Sequence, residues 1–556
     1  MPLPSLPALP LLLLLAVLLV VSIVTTTGFV PSPSIITMPT PSTTSSSSTN
    51  SNNNNNVCTV AAAGTTTAAT DNAAADTATL SSSTCPPGVG LPISRIGYGT
   101  YRIGHNSEEQ RESLRQALLQ GINLIDTSAN YGNGEAEEVI GEVLKGLMEE
   151  GAIKREDVML VSKAGYIQGQ NMERYQDGSV KTPDTVEVAP YLAHCIHPAF
   201  LQDQLDRSLA RLDLPSLDVF LLHNPEYYIT HNVPNKREEI SDAALEEYRT
   251  EMDRRLFEAF KALESEIATG KGRIMSYGIS SNSFSLPPSH PHFLKYDHLV
   301  DMARKAAKAV AVDSEAGRER GRGSVRKHHF STIQLPGNLL EQEGLDHAVE
   351  WAATEGLTVL INRPLNAFDD RMSLRLAEYQ DARFAYTEVR DALLRYLDAA
   401  ADEKGEENFR VVFRPEIEEI DSYLHRQADE GKSNVLGWES VSSRVLVPAL
   451  RRGLQATADA EGAFDSQAMK LAQDYLVVCE QFVSFYSGVH AREVVEEELG
   501  FGKVPEGKAL QEFALEWLLG REGVTCVLLG CRNTQYVRDA LKVNVMFPPV
   551  KSFVRV

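Results

Sequence analysis

From Arg95 to the C-terminus, short runs of β-branched and apolar residues alternate with longer segments whose apolar positions recur every three or four residues. That alternation marks parallel strands joined by crossover helices. Eight strands are predicted: Arg95–Thr100, Ile122–Asp126, Val158–Lys163, Asp218–His223, Ile274–Ser280, Thr332–Leu335, Leu357–Ile361 and Val524–Leu529. The helices between them carry their own signals. Ser107 with Gln110 reads as a capping box, Leu114 and Leu118 recur at helical spacing, and Gly121 supplies the stop. Further apolar stripes run through Leu201, Leu205, Leu209 and Leu212, through Leu256, Phe260, Leu263 and Ile267, and through Leu510, Ala514, Trp517 and Leu518. Eight βα units predict an α/β fold, a closed (β/α)8 TIM barrel, which needs about 250 residues. A chain of 556 residues must then hold large insertions.

Two segments are long enough to be those insertions. Residues 283–329 read as a helix followed by a basic, glycine-broken stretch (Arg318, Arg320, Arg322, Arg326, Lys327), best taken as a solvated loop. Residues 366–504 are mostly helical and include Trp438, Tyr475 and Phe485. This second, large helical insertion lies between strands seven and eight. It leaves the end of strand seven, where barrel active sites lie, and is expected to roof the site. Upstream, Leu11–Val24 is apolar except for Ser22, shorter than the roughly 20 residues of a spanning helix. Residues 1–27 therefore read as a signal peptide that takes the chain into the secretory pathway, with a membrane anchor as the rival. Residues 28–90 form a low-complexity Pro, Ser, Thr, Asn and Ala leader that cannot bury enough apolar surface to fold. The barrel is expected over 91–556.

Composition narrows the function. A formal charge of −22 leaves no positive field for a phosphate backbone, so nucleic acid is not an expected partner. Nor does the sequence point to an obligate protein partner. Six cysteines form no CxxC pair and no zinc spacing.

Barrel enzymes carry their chemistry at the C-terminal ends of strands. Strand two ends in Asp126, followed by Thr127, Ser128, Ala129, Asn130 and Tyr131; strand three ends in Lys163 and strand four in His223. A carboxylate pairs with a lysine, a cation favours ionisation of a nearby phenol, and a histidine can donate to an oxygen. Together they make a proton-transfer site for a carbonyl or an alcohol. Singly, Asp126 could cap a turn, Lys163 could lie on the surface and His223 could be a core histidine; at three successive strand ends, coincidence is a poor explanation. A zinc site at His194, Cys195 and His197 with His223 is the sharper rival, but no carboxylate stands at ligand spacing and no metal is expected.

These residues and the words around them resemble the aldo-keto reductase family: GYGTYRIG at 97–104, INLIDTSANYGNGEAEEVIG at 122–141, LVSKAGY at 160–166, GRIMSYGISSN at 272–282, IQLPGNLLE at 333–341, INRPL at 361–365 and VLLGCRNTQYVRDAL at 527–541. The resemblance implies a catalytic tetrad of Asp126, Tyr131, Lys163 and His223. It also implies a reduced nicotinamide dinucleotide, NADP or NAD, lying across the barrel mouth on Thr100, Ser280, Ser281, Gln334, Asn362, Arg363, Gly530 and Arg532. Ser280 and Gln334 would hold its carboxamide. Two positions depart from the family pattern: Asn362 stands where an aromatic ring often stacks on nicotinamide, and Tyr536 where an arginine often meets phosphate. Gly132 to Gly134 is not a Rossmann fingerprint, because it lacks the third glycine and follows Tyr131. The implied activity is reduction of a small aldehyde, ketone or aldose, or oxidation of the alcohol. The rival function is a nicotinamide-binding sensor or scaffold with vestigial catalysis. Lys163, held by Asp126, is expected to lower the phenol pKa of Tyr131. The junction Gly28, Phe29, Val30 and Pro31 resembles two-part plastid presequences, which would give a plastid as the destination.

Overall fold

A computed structural model describes residues 90–180, 182–313, 328–369, 371–404, 409–461 and 465–553. The presequence, the leader and the basic stretch from Arg318 to Lys327 lie outside the described residues. Eight parallel strands close into a barrel. They are β1 (Ile96–Gly99), β2 (Leu124–Asp126), β3 (Met159–Ala164), β4 (Leu217–His223), β5 (Ile274–Ser280), β6 (Phe330–Pro336), β7 (Thr358–Asn362) and β8 (Cys526–Leu529). Closure is made by β8 pairing with β1, Val527 opposite Ile96. Each expected strand is present, with ends shifted by a residue or two.

The crossover helices are α1 (Glu108–Leu119), α2 (Glu135–Glu149), α3 (Pro198–Leu212), α4 (Asp242–Ala268), α5 (Leu299–Asp313) and α6 (Ala348–Thr354). Their apolar stripes pack on the outside of the barrel: Leu201, Leu205, Leu209 and Leu212 from α3 and Leu256, Phe260 and Leu263 from α4 are all buried there. Inside the barrel, Leu124, Met159, Val161, Val219, Leu221, Leu360 and Leu528 fill the lower layers. Leu91–Pro92 pairs antiparallel with Ser552–Phe553, and Ile93 and Phe553 join that inner core. The capping box at α1 is only half formed. Ser107 Oγ accepts from Gln110 N at 3.3 Å, but the Gln110 side chain accepts from Gly104 N instead of reaching back to its own cap. Gly278 in β5 has no room for a side chain, since a Cβ there would strike the Thr332 carbonyl of β6.

The long insertion after β7 opens with a hairpin, Asn366–Phe368 against Ser373–Arg375, and continues into four long helices: α7 (Arg383–Lys404), α8 (Arg414–Asp429), α9 (Val447–Glu461) and α10 (Ser466–Glu493). The bundle has its own core, including Tyr386, Phe413, Trp438, Tyr475 and Phe482. The last turn of α10 joins the barrel core through Ala491, so the two bodies are packed and not merely tethered. The chain then returns through α11 (Leu510–Leu519) to β8 and continues into α12 (Thr534–Asn544).

Candidate active site

The segment after β2 folds back over the end of β3. Thr127 N donates to Val161 O at 2.9 Å and Ala129 N to Lys163 O at 3.1 Å. Behind it, the backbone N–H and the hydroxyl of Thr100 both donate to Asp126 O at 3.0 Å. Tyr131 then opens a tight turn in which Gly132, Asn133 and Gly134 all have positive φ, at 56°, 58° and 102°. Only glycine or a short polar residue takes that conformation cheaply, which is why Gly-Asn-Gly follows the tyrosine.

Lys163 is fully buried, and its ammonium donates to both oxygens of Asp126 at 2.8 Å and to Thr127 O at 2.7 Å. All three of its protons are thereby engaged. The ammonium lies 5.0 Å from the Tyr131 ring centroid, and the His223 ring lies edge-on to that ring at 6.0 Å. Asp126, Lys163 and His223, predicted from strand ends, thus converge with Tyr131. The expected charge logic is corrected in one respect: burial, reinforced by Asp126 and Tyr101, pushes the Tyr131 phenol well above its ordinary range. The Lys163 charge is balanced by Asp126 and does not bring the phenol down. Burial likewise holds Lys163 below its ordinary range against the upward pull of Asp126. Burial, with Lys163 and His194 adding to it, drops His223 well below its ordinary range, so its imidazole is neutral.

The cofactor-facing candidates divide. Ser280 Oγ donates to Gln334 Oε1 at 2.8 Å, Asn362 Nδ2 donates to the same oxygen at 3.3 Å, and Gln334 Nε2 donates to Asp126 Oδ1 at 2.7 Å. These three therefore form one network with the Asp126 carboxylate, and the buried Asn362 Oδ1 is left without a partner. Gly530 follows β8, and a Cβ on it would meet nothing closer than Gly99 O at 3.9 Å. The protein's own packing does not demand glycine there. Arg532 is exposed beside Arg102, which burial, Arg532 and Arg375 together hold below the ordinary arginine range. Three other candidates are held by partners within the protein. Thr100 braces Asp126, Ser281 Oγ accepts from Ser283 N at 3.1 Å, and Arg363, with φ 52°, donates to Glu341 at 2.7 Å at the root of the insertion.

The chain also places residues at the mouth that strand-end reasoning did not single out. Tyr101, 48% exposed, stands edge-on to Tyr131 with centroids 5.1 Å apart. It and Arg102 belong to the GYGTYRIG word, where an aromatic and a cation just past β1 were the available signal. Glu439 of the insertion acts electrostatically on both, and Tyr379 bonds to Arg375 near Arg532. Residues of the insertion thus lie near enough to Tyr101 and Arg102 to act on them.

After β3 the chain forms a small antiparallel sheet of Tyr166–Ile167, Leu192–His194 and Val186–Ala189. It delivers His194 beneath the site, with Nε2 bonded to His223 O at 2.7 Å and its ring stacked on Tyr227 at 4.9 Å. Burial pulls His194 down to about 4. His197 caps α3, its Nδ1 accepting from Ala199 N at 3.3 Å. His194 and His197, two of the rings weighed as metal ligands, therefore have structural partners.

Glu226, three residues past His223, is buried and accepts from Asn282 N at 2.9 Å and Ser283 N at 3.3 Å. Burial pushes its carboxyl up to about 7, against the lowering by those hydrogen bonds. The folded protein therefore retains a proton that the unfolded chain releases near pH 4.5. Stability from this group falls as pH rises through that window and is lost above about 7. Glu226→Gln should gain relative to wild type by about 3 kcal/mol between acid and mildly alkaline pH. Urea unfolding of both proteins at the two ends of the window checks this, and a pH-independent difference contradicts it.

Comparison with known proteins relates part of the chain to a known family. The model of the aldo/keto reductase family matches residues 95–286. The chain carries an aldo/keto reductase domain. An NAD(P)H-dependent D-xylose reductase of Candida tenuis is 25% identical over 307 residues, covering 49% of this chain and 85% of that protein. An NADH-specific methylglyoxal reductase of Escherichia coli is 29% identical over 141 residues, 24% of this chain and 39% of that protein. Among solved structures, a glycerol dehydrogenase of Gluconobacter oxydans aligns over 82% of this chain and 88% of its own at 16% identity, with a TM-score of 0.36. Both ends of the reductase domain's first five strands lie inside the matched span, while the helical bundle lies outside it.

Proposed function

We propose that the protein is a nicotinamide-dependent carbonyl reductase that acts on a small aldehyde, ketone or aldose, with NADPH as its preferred cofactor. The observation that carries this reading is the convergence of a protonated phenol, a buried Lys163–Asp126 pair and a neutral His223 at one barrel mouth. The residues present fit a dinucleotide. The unpartnered Asn362 Oδ1 suits an amide donor such as a carboxamide, the bare backbone at Gly530 permits close approach, and Arg102, Arg375 and Arg532 gather positive charge where phosphates would lie. When bound, the cofactor supplies the hydride. The hydroxyl of Tyr131 gives the proton to the carbonyl oxygen, since burial keeps the phenol protonated. Lys163 neutralises the Asp126 carboxylate, which would otherwise oppose the negative charge that then forms on Tyr131, and His223 orients the oxygen through its ring nitrogen. Tyr101 and Glu439 border the space above, where substrate would enter.

Fluorescence titration of the full chain with NADPH and NADH tests the cofactor assignment. Arg532 is the exposed guanidinium able to pair with a 2′-phosphate, a contact that NADH lacks. Asp539, its alternative surface partner, is instead bonded to Lys542 at 2.8 Å. Hydrogen bonds to a charged group contribute about 1.5–3 kcal/mol, so Arg532→Ala should weaken NADPH about ten- to a hundredfold and leave NADH unchanged. Equal loss for both cofactors, or no loss, removes Arg532 from the phosphate site.

A further inference from the structure

His223 is neutral, so it carries one proton, on Nδ1 or on Nε2. Which nitrogen holds it decides what the ring can do. With the proton on Nε2 the ring can donate to a carbonyl oxygen; with Nε2 bare it can only accept, as from an alcohol. The nitrogen facing away from the reacting group is set by its own partner. Here that partner is Ser128 Oγ, 3.0 Å from Nδ1 and buried with it.

Ser128 has a single proton and three acceptors around it. Asn130 Oδ1 lies at 2.7 Å, Lys163 O at 3.2 Å and His223 Nδ1 at 3.0 Å. Asn130 in turn donates through Nδ2 to Gln168 Oε1 at 3.2 Å. With the serine proton on Asn130, Nδ1 must be the donor to Ser128, and Nε2 is left bare. Turning the two amides reverses every bond. Gln168 would then donate to Asn130, Asn130 to Ser128, and Ser128 to Nδ1, placing the ring proton on Nε2. The ring loses one proton from Nδ1 and takes one from water at Nε2, so its charge is unchanged. Chains of this kind polarise one another, which makes the two directions distinct states.

We infer that Gln168, Asn130 and Ser128 form a reversible hydrogen-bond chain that sets the tautomer of His223 and so selects between carbonyl-binding and alcohol-binding forms of the site. Ser128 and Asn130 are positioning residues in this account. The consequence for binding rests on the reductase reading above, whereas the tautomer itself does not.

Long-range proton–nitrogen NMR of the full chain with isotope-labelled histidine, without cofactor or substrate, reads the tautomer directly. The His223 signal is the one lost in His223→Asn. In wild type the Nδ1–H form should predominate. Asn130→Asp, which can only accept from Ser128, should leave that form alone. Ser128→Ala should return the ring to the Nε2–H form that free histidine favours. One unchanged tautomer ratio in all three proteins overturns the proposal, and Ser128→Ala decides the matter should Asn130→Asp not fold. Kinetics give a second readout. A binding form that is rarer raises the apparent dissociation constant in proportion. Asn130→Asp should therefore raise KM for the carbonyl by about tenfold or more with kcat kept, and lower kcat for the alcohol by the same factor with KM kept. Equal loss of kcat in both directions contradicts the chain. Failure of every carbonyl to react, with the tautomer still responding, would instead defeat the reductase reading alone.

Discussion

Tyr131→Phe is expected to lower carbonyl turnover by about a hundred- to ten-thousandfold, the range for loss of a positioned proton donor. The cofactor dissociation constant should be nearly unchanged. The hydroxyl is a small part of the surface that an extended dinucleotide would cover, and the ring itself is kept, so its edge contacts with Tyr101 and His223 survive. Loss confined to kcat would mark an interaction made in the transition state. Because burial holds the phenol well above its ordinary range, wild-type reduction should also show no fall from Tyr131 ionisation through neutral and mildly alkaline pH. Steady-state rates with a turned-over carbonyl, beside fluorescence titration of NADPH, check both. Wild-type turnover in the variant would strip Tyr131 of its role.

Lys163→Met should affect both the reaction and the fold. The side chain has no exposed surface and neutralises Asp126, whose carboxylate also accepts from Gln334. Removing one member of a buried pair leaves the other charged and unpaired, which costs about 3–5 kcal/mol. The second change is the informative one. Asp126→Asn added to Lys163→Met removes the orphaned charge while keeping the hydrogen-bond geometry, so the double variant should recover most of the lost stability and none of the activity. Denaturant unfolding of the two singles and the double gives the coupling. Additive losses would mean that the pair matters less to the fold than its geometry implies.

The barrel was legible because its eight strands are short apolar runs bounded by helices with continuous apolar stripes, and that pattern is local. Asp126, Lys163 and His223 were legible for a related reason: a titratable residue at the close of such a run stands at the strand's C-terminal end, whereas Tyr131, beyond the end of strand two, was joined to them as a tetrad by the family resemblance. What could not be read depends on three-dimensional surroundings. The upward shift of Tyr131 comes from burial, and the lysine expected to lower it is balanced by Asp126. Arg363 follows a strand end and yet turns to Glu341, because φ 52° redirects the chain into the insertion. Gln110 fits the capping-box spacing, but Gly104 N is the partner within reach. His194, flanked by Cys195 and His197, invited a metal reading; its place beneath His223 depends on a three-stranded excursion too short to show periodicity. Arg375 and Glu439 reach the mouth from a segment whose sequence reports only helices and a turn.

The proposed function is reduction of a carbonyl at this barrel mouth with Tyr131 as proton donor. It is tested most directly by mixing the full chain with NADPH, adding a panel of small aldehydes, ketones and aldoses, and following the loss of reduced nicotinamide in wild type and in Tyr131→Phe side by side. Wild type should oxidise NADPH only when a carbonyl is present and the variant almost not at all, with both proteins binding NADPH equally. Wild type that binds NADPH and oxidises it with no carbonyl, or a variant as fast as wild type, would contradict it.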